Sequence, residues 1–203
     1  MAMLTEDLVS QLRGAPTSQL AQQLGISQEQ ASGAIGAALP LLLGALGRNA
    51  SQPQGAESLF GALQKDHAGV DLGSVLGAVM GGAQGRQTDG AGILSHIFGG
   101  QQPRAEAGIA QATGLGQGQA GQLLKMLAPI VMAYLAKRAM SGAGSRQASG
   151  AQLLGGLLGE EQREIRQQGG LAGGLLGAVL DQDGDGQLGL GDLAKLGGMF
   201  GKR

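Results

Sequence analysis

An all-α protein, built by tandem duplication of a small multi-helix unit with glycine-rich loops, is the fold class that the sequence predicts. Strand signals are weak, because Val, Ile, Thr, Tyr and Phe are scarce and alternate with polar residues over only a few positions. The chain also repeats itself: residues 20–50 align without a gap on 109–139, and shorter matches pair 55–63 with 150–158 and 73–80 with 173–180. We therefore predict two helical repeats, residues 1–102 and residues 103–203.

Glycine accounts for 41 of the 203 residues, a content that by itself suggests disorder. Two features favour a folded chain: aliphatic residues are plentiful, and a net charge of -1 is too small to expand the chain by repulsion. With one Tyr, three Phe and no Trp, the core must consist of Leu and Ala. Glycine inside a helix costs about 1 kcal/mol relative to Ala, so the helices must depend on packing.

Each repeat begins with a pair of helices joined by a tight turn. In the first, Gly25 marks the turn, and Ser27 followed by Gln30 has the spacing of a capping box, which starts the next helix. In the second, Gly114 marks the turn and Gly116 takes the cap position, three residues before Gln119. Further short helices, ending in glycine-rich loops, complete each unit.

A proline interrupts the long apolar segment of each repeat, at Pro40 and Pro129. Proline removes a backbone donor and clashes with the preceding turn, so each segment is either one kinked helix or two shorter helices. The pattern leaves both alternatives open.

The absence of cysteine and the composition of the N-terminal segment argue against several classes of protein. It contains no Cys, which rules out disulfide frameworks, thiolate metal sites and cysteine nucleophiles. The segment MAMLTEDLVSQLRG carries acids where a signal peptide needs positive charge, and it has no apolar core. We therefore expect a cytoplasmic protein.

Three segments resemble the YidB-like family of bacterial proteins of unknown function: GILSHIFGG at 92–100, IAQATGLG at 109–116 and LLKMLAPIVMAYLAKR at 123–138. The resemblance extends over about residues 5–200. It implies a mostly helical fold built from the two copies, and it implies no particular activity.

The most specific chemistry lies near the C-terminus, in the segment DQDGDGQLGLGD at 181–192. Its carboxylates alternate, the sixth residue is Gly186 and the eighth is Leu188, as in an EF-hand calcium loop. The predicted ligands are Asp181, Asp183, Asp185, the backbone carbonyl of Gln187, and Asp192. We expect Ca²⁺ to bind here.

Two departures from the EF-hand pattern affect the expected affinity. Asp192 stands where a bidentate Glu is usual, and Gly189 leaves one coordination position to water. We therefore expect weaker Ca²⁺ binding than in a dedicated buffer, with more tolerance of Mg²⁺. The corresponding segment of the first repeat, 81–92, has only Asp89, which favours a structural role for a lone site over a sensor role.

Residues 17–36 read as a helix-turn-helix unit, which raises the alternative of a DNA-binding regulator. The second helix would expose Gln28, Glu29, Gln30 and Ser32, and no Lys or Arg lies between Arg13 and Arg48. Phosphate contacts supply most of the affinity for DNA, so a packing role is favoured over nucleic-acid binding.

The apolar segments 33–47 and 126–136 raise a second alternative, a peripheral membrane or envelope-associated factor. Both are shorter than the roughly 20 residues that span a bilayer, which favours core helices. Small residues along the first segment, such as Gly33 and Gly36, would allow close helix approach within or between subunits. Self-association as a homo-oligomer, or a protein partner, is therefore expected.

No pattern of catalytic residues is present. His67 and His96 are the two histidines, neither with carboxylates at ligand spacing, and a histidine on a short apolar helix such as ILSHIF is usually structural. The run EEQREIR at 160–166 has the composition of a solvated helix face, with Glu161 pairing weakly with Arg163 or Arg166. The sequence thus predicts a non-enzymatic, soluble helical binding or scaffold protein that binds one calcium ion.

Overall fold

The structure, a computed structural model, describes residues 4–67, 71–83, 85, 88–143 and 150–167. In chain order these residues form α1 (Leu4–Leu12), α2 (Ala15–Leu24), α3 (Gln28–Ala50), α4 (Pro53–His67), α5 (Leu72–Met80), α6 (Gly90–Phe98), a 3-10 turn (Gly99–Gln101), α7 (Gln102–Thr113), α8 (Gln117–Ala143) and α9 (Gly150–Gln167). No strand occurs in these ranges. The predicted all-α class is confirmed.

The helix pairs α2–α3 and α7–α8 form as the turn residues predict. Gly25 and Gly114 end α2 and α7 in the left-handed conformation, with φ of 64° and 70°. Ser27 and Gln30 make both bonds of the capping box at 3.1 Å. In the second pair the Gly116 N–H donates to Gln119 Oε1 at 3.0 Å. The two helix pairs thus share a left-handed glycine at the turn and a Gln side chain that accepts a hydrogen bond at the start of the second helix, and the duplication itself stays a prediction.

Neither proline splits its helix, because α3 continues through Pro40 and α8 through Pro129. Because proline has no N–H, the carbonyl four residues earlier in the helix receives no hydrogen bond from it. In α8 this carbonyl belongs to Lys125. The first residue of α6, Gly90, lies against that Lys125 carbonyl so closely that a Cβ at this position would overlap the oxygen. The break in the α8 hydrogen-bond ladder therefore coincides with the place where α6 packs on α8.

The core is formed by Leu and Ala, as the composition predicts. Helices α3 and α8 are buried along most of their length, and α1, α2, α4, α6, α7 and α9 contribute residues to the same apolar cluster. Helix α9 packs along α3, where Gly47 leaves space for the Leu158 backbone: a Cβ on Gly47 would lie 3.0 Å from the Leu158 carbonyl oxygen. Helices of both predicted repeats therefore share one core.

Helix α1 is held by polar side chains from α8 and α9. Glu161, only 3% exposed, accepts hydrogen bonds from the Leu4 N–H at 3.0 Å, the Thr5 N–H at 3.1 Å and the Thr5 hydroxyl. The Tyr134 hydroxyl donates to Asp7 Oδ2 at 2.6 Å. The prediction that 160–166 forms a solvated face is wrong at Glu161, because its carboxylate satisfies the first N–H groups of α1. Its neighbours Glu160 and Arg163 are exposed as predicted.

Helix α3 is, among the described residues, the one helix long and apolar enough to cross a membrane. The expectation that this segment is too short does not hold, because the helix passes through Pro40 and reaches 23 residues. Other helices bury 72% of its most apolar window, as they would bury a core helix of a soluble protein.

Candidate functional site

The predicted calcium ligands Asp181, Asp183, Asp185, Gln187 and Asp192 lie outside the described residues. Within the described residues, no three His, Asp or Glu side chains come together in a way that could hold a metal ion. The calcium loop therefore stays a prediction.

The outer face of the first helix-turn-helix unit is uncharged apart from one acid. Gln28, Glu29, Gln30 and Ser32 are exposed at the start of α3, as predicted, while Ala31 and Ile35 are buried. The two units also meet: Gln119 Nε2, at the start of α8, donates to the Leu24 carbonyl at the end of α2 at 2.9 Å. This contact uses the turns for internal packing, consistent with the packing role that the charge pattern favours.

A groove of about 770 Å³ lies between α4 and α6, and we refer to it as the α4–α6 groove. One wall is the face of α4 that carries Gly55, Ser58, Leu59 and Ala62, and the other is the face of α6 that carries Gly92, Ile93, His96 and Ile97. The α4 positions have the i, i+3, i+4, i+7 spacing of one helical face, and on α6 the N-cap Asp89 with Gly92, Ile93 and His96 has the same spacing. Both helices therefore run along the groove and do not merely cross one end of it.

The groove combines an apolar lining with polar groups. The apolar side chains are Leu46, Leu59, Ala62, Ile93, Ile97 and Met132, of which Leu59, Ala62 and Ile93 are only half-buried. The polar lining consists of Arg48, Asn49, Gln52, Ser58, Asp89 and His96. A volume in this range, with apolar walls and a few polar groups, is typical of ligand sites.

Side-chain hydrogen bonds satisfy backbone groups at both ends of α6. Asp89 caps its N-terminus, accepting from the Gly92 N–H at 2.9 Å. At the other end, Asn49 Nδ2 donates to the Ile97 carbonyl at 3.2 Å and to the His96 carbonyl at 3.4 Å. The C-terminal end of α6 therefore lies beside the C-terminal end of α3, and Asp89 marks the opposite end of the groove.

His96 projects from the last turn of α6. Its Nδ1 lies 2.8 Å from the Gly92 carbonyl. A carbonyl can only accept, so Nδ1 carries the hydrogen and Nε2 is the nitrogen that a ligand can reach. The sequence pattern favours a structural role for this histidine, whereas the ring is exposed and lines the groove.

Two glycines fix the position of the groove walls. Gly55, in the first turn of α4, lies against the Asn49 carbonyl, and Gly90, at the start of α6, lies against the Lys125 carbonyl; a Cβ at either position would overlap the oxygen. Both contacts are made to rigid helix backbone. These two contacts hold α4 against α3 and α6 against α8, the packing that forms the groove.

Sequence reasoning did not identify this groove. Its two walls and Met132 of its floor come from segments far apart in the chain, so helical periodicity could show each face but not their pairing. A usable signal was the apolar face of α6 interrupted by His96. Two of the three segments that carry the family resemblance, 92–100 and 123–138, contribute His96 and Met132 to the groove.

Comparison with known proteins identifies a family for most of the chain. Residues 6–138 match the family described as "Bacterial protein of unknown function (DUF937)". This match extends from within α1 to most of α8 and includes every residue that lines the groove. No curated protein and no solved structure matches the chain. The protein belongs to this bacterial family of unknown function.

Proposed function

We propose that this protein is a soluble, non-enzymatic binding or scaffold protein that recognises a protein partner through the α4–α6 groove. The observation that carries the proposal is the set of half-buried apolar side chains on two opposed helical faces, Leu59 and Ala62 on α4 and Ile93 on α6. A partner that covers these side chains removes apolar surface from water, which stabilises the complex by about 25 cal/mol for each Å² buried. The backbone contacts of Gly55 and Gly90 support the same proposal, because a preformed site loses little conformational entropy on binding.

Two ionisable side chains of the groove, Asp89 and His96, support binding over catalysis. Asp89 and His96 both bond to the backbone of Gly92, the carboxylate to its N–H and the imidazole to its carbonyl. A catalytic pair would instead join acid, base and nucleophile side chains to one another. We therefore propose a binding role and no catalytic role, consistent with the YidB-like resemblance of the sequence, which implies no activity.

An apolar fluorescent dye, 8-anilinonaphthalene-1-sulfonate, tests whether the groove is an accessible site. The full-length protein is expected to enhance dye fluorescence at neutral pH, and Ile93→Glu is expected to remove most of the enhancement by placing a charge on the apolar wall. Ser95→Glu is the matched control, since Ser95 is exposed on the same helix but does not line the groove. Equal dye binding by the wild type and Ile93→Glu would contradict the proposal.

A second proposal concerns the loop at 181–192, which we propose binds one Ca²⁺ through Asp181, Asp183, Asp185, Gln187 and Asp192. Support comes from the spacing of the carboxylates and the glycine at the sixth position. Calorimetric titration of the chelator-treated protein with Ca²⁺ tests it, with Mg²⁺ titrated in parallel. We expect binding that Asp181→Ala weakens; no heat, or an unchanged curve in the variant, would contradict it.

The alternatives from other classes have direct tests. A DNA-binding regulator would shift random duplex DNA in a mobility assay at low salt, and the shift would disappear as salt rises. A membrane-associated factor would float with liposomes of anionic composition. The exposed face at the start of α3, where Glu29 is the one charged side chain, and the burial of most of that helix favour neither result.

A further inference from the structure

The α4–α6 groove has the dimensions of a short helical segment. Seven residues separate Gly55 from Ala62 on one wall and eight separate Asp89 from Ile97 on the other. At a rise of 1.5 Å per residue these spans are about 10 Å and 12 Å, or about two helical turns. Both walls are faces of helices. A third helix can lie between two such faces, with its side-chain ridges packed into the groove that they form.

The groove also differs in charge between its ends. Asn49 anchors the end of α6, so Arg48 and His96 lie at the end where α3 finishes, while the carboxylate of Asp89 lies at the other end. The positive charge of Arg48 at one end and the negative charge of Asp89 at the other match a helix with acids in its first turn and bases in its last. Such a distribution also complements the helix dipole of the occupant itself.

We propose that the occupant of the groove is one amphipathic helix of a partner protein, seated with an acidic first turn near Arg48 and His96 and a basic last turn near Asp89. This inference rests on the proposed function, since it specifies the partner of the same groove. Leucine or similar side chains at i, i+3, i+4 and i+7 of the partner contact Leu59, Ala62 and Ile93. The end charges set the direction in which the helix lies, and the apolar face supplies most of the affinity.

Two synthetic peptides test the proposal by fluorescence anisotropy with the full-length protein. Each is an N-acetylated, fluorescein-labelled Ala/Leu helix of about four turns, with leucines on one face; one carries Glu in its first turn and Lys in its last, and the other carries Gln at both ends. The first peptide is expected to bind about threefold to tenfold more tightly at low salt, the range given by exposed ion pairs at both ends. Asp89→Asn, which keeps an N-cap residue, is expected to reduce this preference.

Variants locate the binding site on the groove. Ile93→Glu and Ala62→Glu are expected to abolish binding of both peptides, and the two independent sites guard against misfolding of either variant. Ser95→Glu and Gln64→Glu, exposed on the same two helices and outside the groove, are the matched controls. Binding that survives both groove variants overturns the assignment to this site, and equal affinity for the charged and the uncharged peptide overturns the proposed pairing of the end charges.

Two further outcomes separate this inference from the proposed function. If the dye binds the groove while neither peptide does, the helical occupant is wrong and the binding groove stands. If light scattering gives a mass above 20.2 kDa that Ile93→Glu returns to the monomer, the occupant is a second copy of the chain and the inference of a separate partner fails.

Discussion

One side chain, a buried carboxylate on α9, links the two ends of the described chain. Glu161 on α9 accepts hydrogen bonds from the first N–H groups of α1, which otherwise have no partner within the helix. Glu161→Ala is expected to lower the free energy of unfolding by about 1–3 kcal/mol, the cost of leaving such donors unsatisfied. Urea unfolding followed by circular dichroism measures it.

Glu160→Ala is the control, because Glu160 is exposed on the same helix. Its effect on the free energy of unfolding is expected to stay within about 0.5 kcal/mol. Equal effects of the two substitutions would show that the Glu161 hydrogen bonds contribute little.

Tyr134, the one tyrosine of the sequence, reports on the contact between α1 and α8. Burial raises the pKa of its phenol well above the ordinary value of about 10, and the hydrogen bond and negative charge of Asp7 raise it further, against the opposing charge of Arg138. The folded state therefore holds the proton more tightly than the unfolded state. Stability from this group is complete below pH 10 and is lost as the pH rises above it.

Alkaline titration of Tyr134 tests this directly. The phenolate absorbance band is expected to develop only together with the loss of helical circular dichroism, and Tyr134→Phe is expected to weaken the decline of stability above about pH 10. Phenolate formation near its ordinary pKa in a protein that is still fully helical would be inconsistent with the buried hydrogen bond to Asp7.

The packing of one helix on another, α6 on α8, depends on a single glycine. A Cβ on Gly90 would overlap the Lys125 carbonyl oxygen, which receives no helical hydrogen bond because Pro129 has no N–H. The contact joins the backbones of two helices, so neither group can move aside as a flexible side chain could. Gly90→Ala is expected to displace α6, to lower the free energy of unfolding by about 1–3 kcal/mol, and to reduce dye binding in the α4–α6 groove. Urea unfolding and dye fluorescence measure the two effects.

Gly77→Ala provides the comparison, because Gly77 is exposed within α5 and no atom lies within 4 Å of the added Cβ. It is expected to keep dye binding and to gain up to about 1 kcal/mol from helix propensity. If Gly90→Ala behaves in the same way, α6 is not fixed by this contact.

The same elements show which features the sequence could predict. Local chemistry was sufficient where a residue determines its own conformation: Gly25 and Gly114 end helices, and Ser27 with Gln30 begins one. It was insufficient where the partner is distant. Glu161 has the sequence context of an exposed helix and is buried because α1, more than 150 residues earlier, brings N–H groups to it. The groove walls are paired in the same way, through contacts of α4 and α6 with α3 and α8.

The whole molecule is expected to unfold as one unit, with the two predicted repeats unfolding together. Helix α3 of the first repeat packs against α7, α8 and α9 of the second, and side chains such as Leu39, Leu42 and Leu127 belong to one buried cluster. Residues 1–102 alone would expose the apolar face of α3 that these helices cover. One main calorimetric transition is therefore expected, with equal calorimetric and van't Hoff enthalpies, and the isolated 1–102 fragment should lack cooperative unfolding. Two resolved transitions, or a fragment that unfolds cooperatively, would show instead that each repeat forms a core of its own and that the shared packing is secondary.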